Sequence, residues 1–437
     1  AFLVAIAYLR SIGSWLAPGA LQPRRSFWSG RCASSLHREC SMEARLRSAG
    51  GAVSLLVLLG SPAATAPQPL SLPFQYSTDF DLYNQGEAVT YFEEKFYHEN
   101  RKSLTEDELR EVDSLKDRAF KEPVLALAAA QVLYMFAWFR PSGQIIRENV
   151  VAAAQLFESS ISASRCSAQS PEWNEWACDI RWMHSALLYN WLAETERDAP
   201  LSQVFMSKAY ELLAGLRSVP RYAGVSDRWV TPLHVNFNSV KFPGRPTRPI
   251  WDTNKVAIGR FLEENHHIFK AELESILNDH RGLFQELQRH DPSREHLATP
   301  GGWETVRVVR YHHWYDLFCE MAPQTCALVR SRPEINNCKY MNVNYVKLNP
   351  GTHLKPHFGN GPRLSAHLSI IAPEPLRAGM SVGSEQVMWM EGKAIIFDDT
   401  YPHCVSHWGE QPRYVMLVWF CHPCDETNDH GQTCPEV

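Results

Sequence analysis

An α+β fold is predicted, with a helical region ahead of a C-terminal β domain. Three observations predict it. Residues 85–216 carry apolar positions at helical spacing together with helix-start signals. After Gly301-Gly302-Trp303 the character changes to short β-rich runs at 304–311, 340–348, 363–372, 379–390, 393–398 and 412–421. Gly- and Pro-bearing turns separate those runs. Short strands of this kind, preceded by helices, suit a double-stranded β-helix of the jelly-roll or cupin type.

The whole chain sets wide bounds. Its 437 residues suffice for two or three domains with real cores. Hydrophobic content of 45% with 21% charge is ordinary for a globular protein, and a net charge of −5 gives no reason to expect a nucleic-acid partner. No segment reaches ~18 unbroken apolar residues, so no transmembrane span is expected.

In order along the chain, residues 1–66 read as a leader. The first methionine is Met42; Arg45 and Arg47 precede the apolar run from Ala52 to Leu59, and small residues Ala63, Ala64 and Ala66 follow. That is the layout of a secretory signal. A rival reading takes Arg10, Arg24, Arg25, Arg31 and Arg38, which come before any acid, as a mitochondrial transit peptide. Residues 67–84 are a Pro-rich linker. In the helical domain, Thr105 and Glu108 have capping-box spacing, and Pro123 suits the first turn of a helix over 124–139 that is apolar on most sides. Further helical runs cover 146–163, 173–195 and 201–216. No internal repeat of fixed period emerges, so the domain is either irregular or repeat-like. Residues 217–251 read as a connecting loop, and 252–437 as the β domain led by one long helix at about 254–288.

The chemistry concentrates between His357 and Arg413. His357 and His403 lie 46 residues apart, each at the edge of a strand-like run, and Arg413 opens the last strong strand. Imidazoles hold Fe(II), and a guanidinium at a barrel mouth can clamp a dicarboxylate. At the C-terminus, Cys421, His422, Cys424, His430 and Cys434 only approximate a zinc knuckle, and disulfides suit them better.

The segment Trp303 to Pro423 resembles the aspartyl/asparaginyl β-hydroxylase family of Fe(II)- and 2-oxoglutarate-dependent oxygenases. The landmarks are CEMAPQTC (319–326), NPGTHLKPH (349–357), RLSAHL (363–368), EGKAIIFDDTYPH (391–403) and Arg413. The resemblance implies His357 and His403 as iron ligands, with Gly359 where most oxygenases of this chemistry place an acid. It implies Arg413 as the clamp for the distal carboxylate of 2-oxoglutarate, and His367 as a contact to the co-substrate near the metal. Asp398 and Asp399, just before His403, are expected to cap the turn or orient the histidine rather than to bind metal.

Two departures stand out. Ser365 occupies a position where the family usually has arginine, and Val346 matches a serine that assists the distal carboxylate. Arg363 shares a strand face with Ser365 and His367 and is expected to supply the missing charge. Cys319 and Cys326 bracket a short loop with Pro323 and are expected to form a disulfide, consistent with a secretory-pathway location.

The implied reaction is hydroxylation of an sp³ carbon with O2 and 2-oxoglutarate, yielding succinate and CO2. The family implies Asp or Asn side chains of a polypeptide presented by the helical domain; a lipid or small-molecule substrate is the variant reading. The rival class is a catalytically inactive binding module, suggested by Val346 and Ser365.

Overall fold

The computed structural model describes residues 91–435 except 93, 97–103, 141, 163–165, 167–174, 281–283, 285–296 and 360. The leader and the linker expected over 1–84 lie outside the described residues. Helix α1 (Glu106–Ala119) begins at the capping box: Glu108 N–H donates to Thr105 Oγ1, and Thr105 N–H donates back to Glu108 Oε2. The 3₁₀ turn Pro123–Leu125 leads into α2 (Ala126–Met135), which is buried on nearly every side. Helices α3 (Arg147–Ser162), α4 (Glu175–Thr195) and α5 (Ala199–Arg217) follow, each packed on the one before. Their unequal lengths make an irregular stack. A disulfide joins Cys166 to Cys178 of α4. Most of the connection over 217–251 consists of turns, with one short helix α6 (Asn238–Lys241).

The long helix expected at 254–288 is two helices, α7 (Ala257–Glu264) and α8 (His266–Asp279). Asn265 breaks it. Its side-chain amide and its backbone N–H both donate to the Phe261 carbonyl, and its backbone leaves the helical region, so a local polar cap ends the first helix there. Past α8, helices α9 (Asp316–Met321), α10 (Pro323–Arg330) and α11 (Pro333–Asn336) line one side of the β domain. The expected Cys319–Cys326 bond links α9 to α10, and Cys424–Cys434 closes the C-terminal segment.

Among the described residues, eleven strands form two antiparallel sheets. The larger runs β1 (Ile250–Trp251), β9 (Ala394–Phe397), β6 (Arg363–Ile371), β11 (Arg413–Cys421), β4 (Asn342–Leu348), β2 (Trp303–Arg310) and β3 (His313–Trp314). The smaller runs β5 (His353–His357), β10 (His403–His407), β7 (Ala378–Val382) and β8 (Glu385–Met388). From β4 onward the chain alternates between the sheets, apart from the β7–β8 hairpin within the smaller one, the winding of a double-stranded β-helix. The run expected at 379–390 is a hairpin, turned at Gly383 with φ of 54°.

Strand alternation sorts the side chains. On β6, Leu364, Ala366, Leu368 and Ile370 pack outward against the helices, in one cluster with Phe269 and Leu273. Arg363, Ser365 and His367 have the opposite parity and face inward. Between the sheets Val346, Met380, Phe397, Val415 and Leu417 form a second core.

Candidate active site

His357 ends β5 and His403 begins β10, and the register sets them directly opposite each other. Their ring centroids are 4.1 Å apart. Each ring is tied from behind: His403 Nδ1 lies 2.8 Å from the Tyr401 carbonyl and His357 Nδ1 lies 2.6 Å from the Lys355 carbonyl. A carbonyl only accepts, so both Nδ1 atoms carry the proton and both Nε2 atoms are lone-pair donors. Burial also lowers the His403 pKa to about 4, which keeps its imidazole neutral at pH 7. Neutral imidazoles with a fixed tautomer are what a divalent metal requires.

The two histidines line a cavity of about 290 Å³ between the sheets, with His367, Ser365, Arg363 and Asp399 also in its wall. Most of the remaining wall is apolar, including Leu354, Met380, Phe397 and Trp419. A larger cavity of about 480 Å³, beside the β7–β8 turn, contains none of the residues singled out in the sequence.

Gly359 stands where an acidic third ligand would be attached. A Cβ there would come within 2.7–2.9 Å of the Asp399 carboxylate, so that space is taken by another acid. Asp399 Oδ2 accepts from Arg363 Nε at 3.1 Å and from Nη2 at 2.8 Å. The guanidinium also stacks on Trp419, its Cζ 3.6 Å from the ring centroid. Arg363 therefore lines the cavity with its charge matched by Asp399. Asp398 caps the turn, accepting from Thr400 N–H at 2.9 Å and Thr400 Oγ1 at 2.6 Å, and burial raises its pKa to about 7.

Arg413 differs. It is buried, and its Cζ lies 3.7 Å from the Trp389 ring centroid. Its Nε and Nη1 have no hydrogen-bond partner, and no acid pairs with it among the described residues. Burial pushes its pKa down to about 9, still protonated at neutral pH. Arg413 is not among the cavity-lining residues. It lies close enough to His367 that its charge, after burial, holds the His367 pKa well below the ordinary value. His367 packs parallel to Trp389 and edge-on to Phe397, and its Nδ1 has no partner. Val346 faces the same interior, two residues along β4 from Leu348, the cross-strand partner of Arg413. It brings no donor to that end of the barrel.

Fe(II) fits the pair of imidazoles by donor chemistry, and a carboxylate fits the orphaned Arg413. Among the described residues no group of three or more His, Cys, Asp or Glu is gathered as a metal cage. The C-terminal zinc reading fails on chemistry, since Cys424 and Cys434 are bonded to each other. Sequence reading missed Lys355, Tyr134 and His184, which grip the His357 strand from the helical domain; nothing in their spacing announces it. It also missed Trp389, just past the end of β8, and Trp419, whose signal was its shared parity with Arg413 along β11.

A family model for aspartyl/asparaginyl beta-hydroxylase matches residues 263–423. The human aspartyl/asparaginyl beta-hydroxylase is 29% identical over 184 residues, 41% of this chain and 23% of that protein. The ornithine lipid ester-linked acyl 2-hydroxylase of Rhizobium tropici is 28% identical over 200 residues, 45% of this chain and 66% of that protein. The match thus spans under a quarter of the human relative and about two thirds of the bacterial one. A Pseudomonas putida prolyl-4-hydroxylase structure aligns with 36% of this chain and 87% of its own at 11% identity and a TM-score of 0.24. The fold class rests on the strand order itself.

Proposed function

Residues 263–423 belong to the aspartyl/asparaginyl β-hydroxylase family, and from that premise we propose that this domain is an Fe(II)- and 2-oxoglutarate-dependent dioxygenase hydroxylating an sp³ carbon. One oxygen atom of O2 enters the C–H bond of the substrate, and the other enters the succinate formed as 2-oxoglutarate loses CO2. The observation that carries the reading is the opposed pair His357 and His403, tautomers fixed by backbone carbonyls, in one barrel with a buried and unpaired Arg413.

His357 and His403 would hold the metal through Nε2. Bound there, Fe(II) supplies the activation of O2 that no side chain can. Arg413 meets the distal carboxylate of 2-oxoglutarate and exchanges an uncompensated burial for a charge-assisted pair. His367 meets the end of the co-substrate nearer the metal. The apolar wall keeps bulk water from the reacting atoms. The family's named substrates are aspartyl and asparaginyl residues, whereas the Rhizobium relative acts on an acyl chain. A polypeptide presented by the helical domain is our first choice. Three disulfides favour the secretory pathway as the compartment.

The test is anaerobic loading with Fe(II), admission of O2 and measurement of succinate from 2-oxoglutarate, against a His403→Ala control. Loss of a ligand should exceed the ~10–100-fold cost of losing a ligand's orienting partner. Succinate above that control supports the oxygenase. Absence of both succinate and 2-oxoglutarate binding would point to a binding module instead.

A further inference from the structure

The strand that carries His357 has an unusual anchor. β5 is an edge strand of the smaller sheet, paired on one side with β10. Its outer edge is bridged by residues 297–299, through Lys355 N–H to the Leu297 carbonyl and Thr299 N–H to the His353 carbonyl. Among the described residues those bridges extend as far as Lys355, and Pro356 has no N–H of its own to offer. The helical domain takes over at that point. Tyr134 of α2 donates its hydroxyl to the Pro356 carbonyl at 2.6 Å. Phe358 packs on His184 of α4, ring centroids 4.8 Å apart.

Lys355 completes the grip. Its Nζ donates to the Tyr134 carbonyl at 2.5 Å and approaches the Met135 carbonyl at 3.5 Å. Those carbonyls belong to the last turn of α2, where helix geometry leaves acceptors unsatisfied and the dipole is negative. The rings of Tyr134, Trp138 and Phe139 stand 5.2–5.4 Å from Nζ, and the residue is 3% exposed. A lysine of the β domain is thus the C-terminal cap of a helix in the neighbouring domain. Its own carbonyl is the group that holds His357 Nδ1.

We infer that Lys355 is a positioning residue for the metal centre: it locks β5 into the helical domain, and through its carbonyl fixes the ring of His357. On this view the helical domain is part of the metal site, besides any role in presenting substrate. The inference rests on the proposal that His357 and His403 bind a divalent metal. A cap that served stability alone would leave the metal affinity of the folded protein unchanged, and that difference is measurable.

The experiment titrates the full chain with Co(II) under anaerobic conditions and reads both the dissociation constant and the visible ligand-field bands. Lys355→Met keeps the length of the side chain and removes its donors; Tyr134→Phe removes only the bond to Pro356. Arg147→Met, which breaks an ion pair with Glu196 inside the helical domain, controls for general loosening. Lys355→Met should weaken Co(II) binding roughly tenfold or more, in the range for lost orienting partners, with altered bands and unchanged far-ultraviolet circular dichroism. Tyr134→Phe should weaken it a few-fold and the Arg147 control not at all. A folded Lys355→Met with wild-type affinity and bands overturns the inference. If Lys355→Met does not fold, Tyr134→Phe decides, and wild-type behaviour there overturns it equally. A wild-type chain that binds no Co(II) rejects the metal reading itself, and this inference with it.

Discussion

Arg363 and Arg413 invite comparison. Both are inward-facing strand residues, both are almost wholly buried, and each lies flat on a tryptophan, Trp419 for one and Trp389 for the other. Arg363 has an acid, Asp399, on two of its nitrogens. Arg413 has none among the described residues. A buried cation without a counter-charge is costly, and a fold keeps one only against some return. The paired arginine has its charge answered within the fold, beside Gly359, while the unpaired one is the arginine we propose as the docking point for an anion.

The strongest way to break this comparison is to remove Arg363. Arg363→Met strands the Asp399 carboxylate in the interior and should destabilise the fold by about 3–5 kcal/mol, read by urea denaturation. Adding Asp399→Asn should restore most of that loss. If the single variant is as stable as wild type, the pair is not the structural unit described here. Arg413→Met should do the opposite to the protein without co-substrate, raising its stability by on the order of 1–4 kcal/mol as an uncompensated charge leaves the core. The same change should weaken 2-oxoglutarate binding roughly ten- to hundredfold, the equivalent of one charged hydrogen bond of about 1.5–3 kcal/mol. Equal 2-oxoglutarate affinity in wild type and variant would remove Arg413 from the co-substrate site.

That contrast could not be read from the chain alone, and the reason is topological. β6 was legible because its apolar residues alternate, which also placed Arg363, Ser365 and His367 on one inward face, and β11 because it is an unbroken run of β-favouring residues. His357 and His403 were legible as a pair from the blocks around them. Asp399 follows β9, and only the pairing of β9 with β6 brings it to Arg363, 36 positions away. An acid near in sequence to a metal ligand suggests a role for that ligand; its partner across the sheet decides otherwise. β5 and β10 were hidden for a related reason. Sequences such as HLKPH and HCVSH lack apolar alternation, because their polar side chains are buried against a site or a neighbouring domain. The single helix expected at 254–288 failed on one residue, Asn265, whose local bonding outcompetes the helix.

The comparison extends to a third, part-buried base, which avoids the cost by staying neutral. His184 sits between Phe157 and Phe358, and burial lowers its pKa to about 4, a backbone bond to Ile180 opposing the shift. The unfolded chain takes up this proton below ~6.5, whereas the folded chain takes it up only near 4. Stability from this group is therefore complete above ~6.5, falls as pH drops through that window, and levels off below about 4. Between pH 7 and pH 5 the loss should be about 2 kcal/mol, measured as a shift in the urea midpoint. His184→Phe should remove this group's share of the slope, leaving that of His403 and the other lowered histidines, while keeping the ring packing. A profile of unchanged slope in the variant would mean that His184 is not the base that titrates, and that the junction between the helices and β5 tolerates a charge.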